Sequence, residues 1–162
     1  MPVDCELQPK ELTDKQKVDM RIAIAKDVLK RLRYLKPKEG EGYVYIREGK
    51  NEQFQNLTGS AQKFLPKLEK NCYVCALGAM FLSHIRLYNE VMISELSPSY
   101  GFYSEQCTRN LGNYFDNYTL NYIEAAFEND DNIEKYRSPR RLLKAIMLNV
   151  IKNKGNFVTT QL

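Results

Sequence analysis

The 162-residue sequence contains no tryptophan and a single histidine, His84. With only one imidazole, most acid–base mechanisms would depend on carboxylates or tyrosines, and the sequence singles out none of them for that role. Phosphate-binding loops, dinucleotide-binding glycine-rich turns, GxSxG elbows and metalloprotease histidine motifs are also absent. These absences favour a binding protein over an enzyme, and no cofactor is predicted.

Long apolar runs are missing as well. The longest, residues 74–82, has about half the length that a bilayer-crossing helix needs. The first residues, MPVDCELQPKEL, lack the apolar segment of a signal peptide. We therefore expect a soluble, cytoplasmic protein that does not contact membranes, in which the four cysteines are reduced thiols and not a disulfide framework.

Composition and length predict one globular domain. Hydrophobic residues make up 43% and charged residues 27% of the chain, values close to globular averages. A chain of this length builds one core, so we predict a single domain over residues 1–162, with flexible ends at 1–12 and 156–162. Eleven tyrosines indicate either half-buried packing positions or a tyrosine-rich contact surface.

Apolar periodicity predicts about five helices and at most a small β-hairpin, hence a mainly α fold in one compact domain. The first helix is expected over residues 14–35, after a capping box formed by Thr13 and Gln16. Ser104 is expected to cap a later helix, and Asp116 or Thr119 the next. The last helix has Ser138 at its N-cap, Pro139 in its first turn and Gly155 beyond its end. GYVYIREGKN reads as a short strand and turn without an evident partner, and ENDDNIEKYR as a solvated acidic loop.

Residues 72–89, CYVCALGAMFLSHIRLYN, hold two of the four cysteines and the histidine. The segment is apolar all round in its first half, which predicts one continuous buried helix over residues 71–88. In such a helix His84 would lie about 13 Å from Cys75 and about 18 Å from Cys72, too far for a shared metal ion or a Cys–His dyad. Small side chains and Gly78 would instead let a neighbouring helix approach closely, so we predict a central packing helix with no metal site.

Two thiol-based alternatives remain. Cys72 would lie in the first turn of the predicted helix, where the helix dipole lowers a thiol pKa, so a thiol-dependent enzyme using Cys72 or Cys75 is the alternative function. A structural zinc site would need further ligands such as Cys5 and Cys107, which are scattered along the chain.

Charge is strongly segregated along the chain. Residues 116–134 carry six acids and no Lys or Arg, whereas residues 135–154 carry seven bases and no acid. Four of these bases recur at helical spacing at the start of the last helix, and the first helix adds further cations: Arg137, Arg140, Arg141 and Lys144, with Lys30 and Arg33. Cations at a helix start oppose the dipole, so an anion is expected nearby. Either the acidic segment (Glu128, Asp130, Asp131, Glu134) or an external partner supplies it.

The segments CYVCALGAMFLSHIRLYN, YFDNYTLNYIEAAFE and RRLLKAIMLNVIKNKGNF resemble a family of small proteins from phages and bacterial mobile elements. The similarity spans residues 70–157 and assigns no activity and no catalytic residue. It implies a phage-encoded accessory protein or inhibitor that binds a host protein or nucleic-acid machinery in the host cytoplasm. Taken with the charge pattern, we predict a non-enzymatic helical binding protein whose partner is a host protein or nucleoprotein complex. Direct nucleic-acid or nucleotide binding is the other possibility, and the oligomeric state is left open.

Overall fold

A computed structural model describes residues 11–40 and 42–162, and in this part of the chain the fold is mainly α. Its seven α-helices are α1 (Asp14–Arg31), α2 (Leu65–Asn71), α3 (Ala76–Tyr88), α4 (Ser104–Leu111), α5 (Asn117–Phe127), α6 (Asp130–Tyr136) and α7 (Pro139–Lys152). The strands are β1 (Val44–Ile46), β2 (Cys72–Val74) and β3 (Gly101–Phe102). The mainly α prediction is confirmed, but the expected number of five helices was too low.

Helix α3 forms the centre of the core. All residues from Ala76 to Ile85 are buried, and the helix packs against α1, α4 and α5. Helix α7 packs against α1, α5 and α6, and its buried side chains face the same core. One cluster of buried hydrophobic residues joins these helices to the sheet, which accounts for a single core.

The predicted helix over residues 71–88 is wrong in its first part. Helix α2 ends at Asn71, residues Cys72–Val74 form β2, and α3 begins only after Cys75. An apolar run of this kind is compatible with a buried strand as well as a buried helix. Strand pairing decides between strand and helix here. The strand β1 lies between β2 and β3 in an antiparallel sheet, with Tyr45 opposite Tyr73.

The predicted helix starts are mostly confirmed. Thr13 and Gln16 form the capping box of α1, Asp116 caps α5 through the Thr119 N–H, and Ser138 caps α7 through the Arg141 N–H. Ser104 is instead the first residue of α4, whose N-cap is Tyr103. The expected acidic loop is also wrong, since residues Asp130–Tyr136 form α6 with Asn129 as its N-cap.

A polar network joins the helices around the core. The Arg86 guanidinium on α3 contacts Asp27 of α1 and Glu69 of α2, at 3.0 and 2.7 Å. Arg31 contacts the same Glu69 carboxylate at 2.6 Å. The Glu69 side chain is 4% exposed, and its pairing with two guanidiniums satisfies a charge that would otherwise be costly to bury.

Candidate functional site

The first candidate site is a thiol–carboxyl pair at the start of α3. Cys75 is the N-cap of this helix, and its Sγ accepts the Gly78 N–H at 3.4 Å. The thiol donates to Oε2 of Glu124 on α5 at 3.1 Å. The sequence pattern did not reveal this pair, because the two residues lie 49 positions apart on different helices.

Burial sets the protonation of this pair. It raises the pKa of Glu124 to about 7, an effect that the thiol hydrogen bond partly opposes. Burial and the negative Glu124 carboxylate raise the pKa of the Cys75 thiol well above its usual range, and burial does the same for Cys107. Burial also raises the pKa of Cys72 to about 12. All three thiols are therefore protonated at neutral pH, unlike the thiolates that act as nucleophiles.

Neither cysteine of residues 72–89 converges with His84. Because α3 is continuous from Ala76, His84 remains about 12 Å along the helix axis from the Cys75 end. Cys72 lies on β2 and not in a first helical turn, so the dipole argument for a reactive Cys72 was wrong. Within residues 11–40 and 42–162, no three His, Cys, Asp or Glu side chains are grouped so as to hold a metal ion. Cys5, proposed as a further zinc ligand, lies outside the described residues.

His84 is fully buried and belongs to an aromatic cluster. Its Nδ1 lies 3.0 Å from the hydroxyl of Tyr114, and its ring is close to those of Phe81 and Tyr88. Burial lowers the pKa of His84 to about 4, although the Asn110 side chain opposes the shift. The imidazole is consequently neutral at pH 7, and hydrogen-bonded as expected for a core histidine.

The second candidate site is the basic surface where the end of α1 meets the start of α7. Arg140 connects the two helices, because its guanidinium donates to the carbonyl oxygens of Leu32 and Leu35 at 2.7 and 2.9 Å. These carbonyls follow the last turn of α1 and favour a cation. Arg140 is thus occupied within the fold, which separates it from the other predicted partner-binding residues.

Five other basic side chains lie in the segments that meet at this junction and are exposed to solvent. We call them the basic end: Lys30, Arg33, Arg137, Arg141 and Lys144. Arg137 is not on α7 as the spacing suggested; it ends α6 in a left-handed conformation with φ 72°. Tyr34 adds an aromatic ring that is 43% exposed and lies 4.3 Å from Arg31 and 4.7 Å from Arg33.

The acidic segment does not neutralise the basic end through direct pairs. Across the described part of the chain, none of the five side chains forms an ion pair with a carboxylate. Asp130 and Asp131 lie in the first turn of α6, where the helix dipole stabilises them, and the Glu128 carboxylate accepts the Gly40 N–H at 2.9 Å. The contacts therefore do not support the interpretation that the acidic segment supplies the anion expected near these cations.

Comparison of the chain with protein-family models, with curated proteins and with solved structures gives no match. No helix in the described residues has the length and apolar character required to cross a membrane. The functional interpretation therefore rests on the two sites described above and on the surface of the small sheet.

Proposed function

We propose that this protein is a binding protein whose basic end attaches to an acidic surface of a partner protein or nucleoprotein complex. The observation that carries the proposal is the convergence of unpaired cations. Packing of α1 against α7, fixed by Arg140, brings Lys30 and Arg33 to the same end of the molecule as Arg137 and Arg141. Like charges at one end repel one another, and an acidic partner would remove this cost.

The exposed ring of Tyr34 supports the interpretation that the basic end binds a partner and is not merely hydrated. Tyr34 holds the guanidiniums of Arg31 and Arg33 near its ring, which reduces the side-chain freedom that binding would otherwise remove. Tyrosine and arginine are also the residues most enriched in binding hot spots. In a phage or mobile-element context, which the sequence resemblance suggests, the partner would be a component of the host cytoplasm.

The alternative of a thiol-dependent enzyme has one favourable observation, the 3.1 Å contact between Cys75 and Glu124. A carboxylate at this distance could accept a thiol proton. However, the Cys75 residue is only 1% exposed, and its thiol pKa is raised by burial. A substrate could reach the sulfur only after the core opened, so the contact better fits a packing role.

Charge reversal at the basic end tests the proposal. The variant Arg33→Glu, Arg137→Glu, Arg141→Glu keeps Arg140 and therefore the junction between α1 and α7. Its matched control, Lys15→Glu, Lys63→Glu, Lys152→Glu, reverses three exposed lysines elsewhere and changes net charge by the same amount. In affinity capture from bacterial lysate followed by mass spectrometry, we expect a partner retained by the wild type and the control to be at least tenfold depleted with the basic-end variant.

The matched control distinguishes loss of capture caused by the basic end itself from loss caused by the change in net charge. Equal depletion by both variants would show that only net charge matters, and equal retention by both would assign the interaction to another surface. Either result contradicts the proposal. Circular dichroism and urea unfolding of each variant check that the fold is retained, which we expect because all six positions are exposed.

A further inference from the structure

The solvent-facing side of the small sheet carries a group of aromatic rings. Tyr45 of β1 and Tyr73 of β2 are directly opposite each other, and each lies between buried neighbours, so their side chains project away from the core. The Tyr100 ring meets Tyr45 edge-on at 4.9 Å and stacks on Tyr103 at 5.1 Å with an interplanar angle of 10°. We call these four residues the tyrosine face.

Cations flank the tyrosine face on the side of β2. The Lys38 ammonium lies 4.5 Å from the centre of the Tyr73 ring, and the Arg47 guanidinium lies 5.8 Å from it. Arg47 also donates to the carbonyl oxygen of Lys70 at 3.1 Å, which connects this side of the sheet to α2. Two cations thus lie beside the aromatic ring at one edge of the tyrosine face.

A basic cleft continues from Arg47. It has a volume of about 310 Å³ and is lined by Lys50, Gln53, Pro66, Lys67, Lys70 and Asn71. Its described lining therefore contains three lysines and no carboxylate. The Lys67 ammonium donates to the Gln53 carbonyl oxygen at 3.1 Å, and Lys70 is exposed. Its lysines make the cleft suited to an anion.

The opposite side of the face has the opposite charge. Glu128 is exposed and lies near Tyr43, whose hydroxyl pKa is raised to about 12 mainly by burial and further by the enclosed Glu124 carboxyl and by Glu128. Gly40 binds the Glu128 carboxylate through its N–H. The face therefore has an acidic edge by Tyr43 and a basic edge by Arg47, which would direct a bound polyanion along the basic edge.

We propose that the tyrosine face binds single-stranded nucleic acid, with bases stacked on the tyrosines and phosphates placed along Arg47 and the lysine cleft. Single strands expose base faces that a duplex hides, and aromatic rings beside a basic groove are the combination that binds them without strong sequence preference. A sheet with outward-facing aromatics serves the same purpose in other single-strand-binding folds. This surface includes none of the residues of the basic end, so the proposal goes beyond the function proposed above.

Fluorescence anisotropy with fluorescein-labelled dT15, rU15 and a duplex of the same length tests the proposal. Tyr103 provides the sharpest variant, because it is 49% exposed and its replacement leaves the core intact. We expect Tyr103→Ala to weaken single-strand binding by about fivefold or more and Tyr103→Phe, which keeps the stacking ring, to weaken it less than about twofold. Lys70→Gln should lower the slope of log Kd against log salt by about 0.7.

The basic-end variant and its charge-matched control serve as references in the same assay. If the tyrosine face is the site, the basic-end variant should weaken oligonucleotide binding no more than the control does, because it changes no residue of the tyrosine face or of the cleft. Tighter binding of rU15 or of dT15 would identify the kind of strand. Equal binding of duplex and single strands, equal losses for Tyr103→Ala and Tyr103→Phe, or no saturable binding would overturn the proposal.

Discussion

Gly78→Ala is expected to destabilise the protein by about 4 kcal/mol or more, a large fraction of the stability of a domain this size. A Cβ at position 78 would overlap the carbonyl oxygen of Tyr43, which is backbone and cannot rotate away. The same oxygen accepts the Cys75 N–H at 3.1 Å and so fixes the start of α3 against the segment entering β1. To accommodate the methyl group, the strand and the helix would have to separate.

Helix propensity alone predicts that Gly78→Ala stabilises the protein, because alanine stabilises a helix interior by about 1 kcal/mol relative to glycine. Urea unfolding followed by circular dichroism distinguishes the two effects. Gly112→Ala is the control: its φ is −63°, and an added Cβ would lie 3.0 Å from the Thr108 carbonyl oxygen, so we expect a change within about 1 kcal/mol. A Gly78→Ala protein as stable as the wild type would show that α3 and Tyr43 are not in close contact.

Glu124→Gln is expected to stabilise the protein at pH 8 by about 2–3 kcal/mol and to have little effect at pH 4. The carboxyl pKa is about 7 in the folded protein and near 4.5 in the unfolded chain. Between these values this carboxyl binds more protons in the folded state, so its own contribution to stability is greatest below pH 4.5 and is lost as the pH rises to 7. Glutamine has the same shape, stays neutral and retains an acceptor for the Cys75 thiol.

His84 gives the opposite pH dependence. Its pKa is about 4 in the folded protein and near 6.5 when unfolded, so its contribution is fully present above pH 6.5 and is lost as the pH falls towards 4. In the wild type the two effects largely cancel between pH 4.5 and 6.5. In Glu124→Gln only the histidine effect remains, and urea unfolding over pH 4–8 should show stability rising with pH.

Glu134→Gln on the exposed side of α6 is the matched control for the carboxyl substitution, with an expected change below about 0.5 kcal/mol at every pH. A Glu124→Gln variant that is no more stable than the wild type at pH 8 would mean that the carboxyl ionises without cost. Glu124 would then be hydrated and not enclosed between α3 and α5.

Local signals in the sequence predicted much of the helical architecture. Thr13 and Ser138 are recognisable as caps, and Asp116 as one of two candidates with Thr119, because such a cap satisfies backbone N–H groups within three residues, which requires no knowledge of the rest of the fold. Helix α6 was missed because five of its seven residues are polar or charged and it ends at Arg137 in a left-handed conformation that glycine usually occupies.

Long-range contacts explain the remaining errors. The strand Cys72–Val74 is defined by pairing with Val44–Ile46, about thirty residues away, and no glycine or proline marks the break before it. Arg140 has the helical spacing of the other bases at the start of the last helix, but its partners are carbonyl oxygens more than one hundred positions away. The Cys75–Glu124 pair and the tyrosine face likewise depend on tertiary packing.

We propose that function resides on the surface of the protein and that the cysteines belong to the core. Thiol titration with an aromatic disulfide reagent at pH 7.5 tests it most directly, on a Cys5→Ser background that leaves the three buried cysteines Cys72, Cys75 and Cys107. We predict no fast reaction in the native protein and reaction of all three thiols in denaturant. A native cysteine reacting as fast as a free thiol, and lost in Cys75→Ser, would contradict the account and favour a thiol-dependent enzyme.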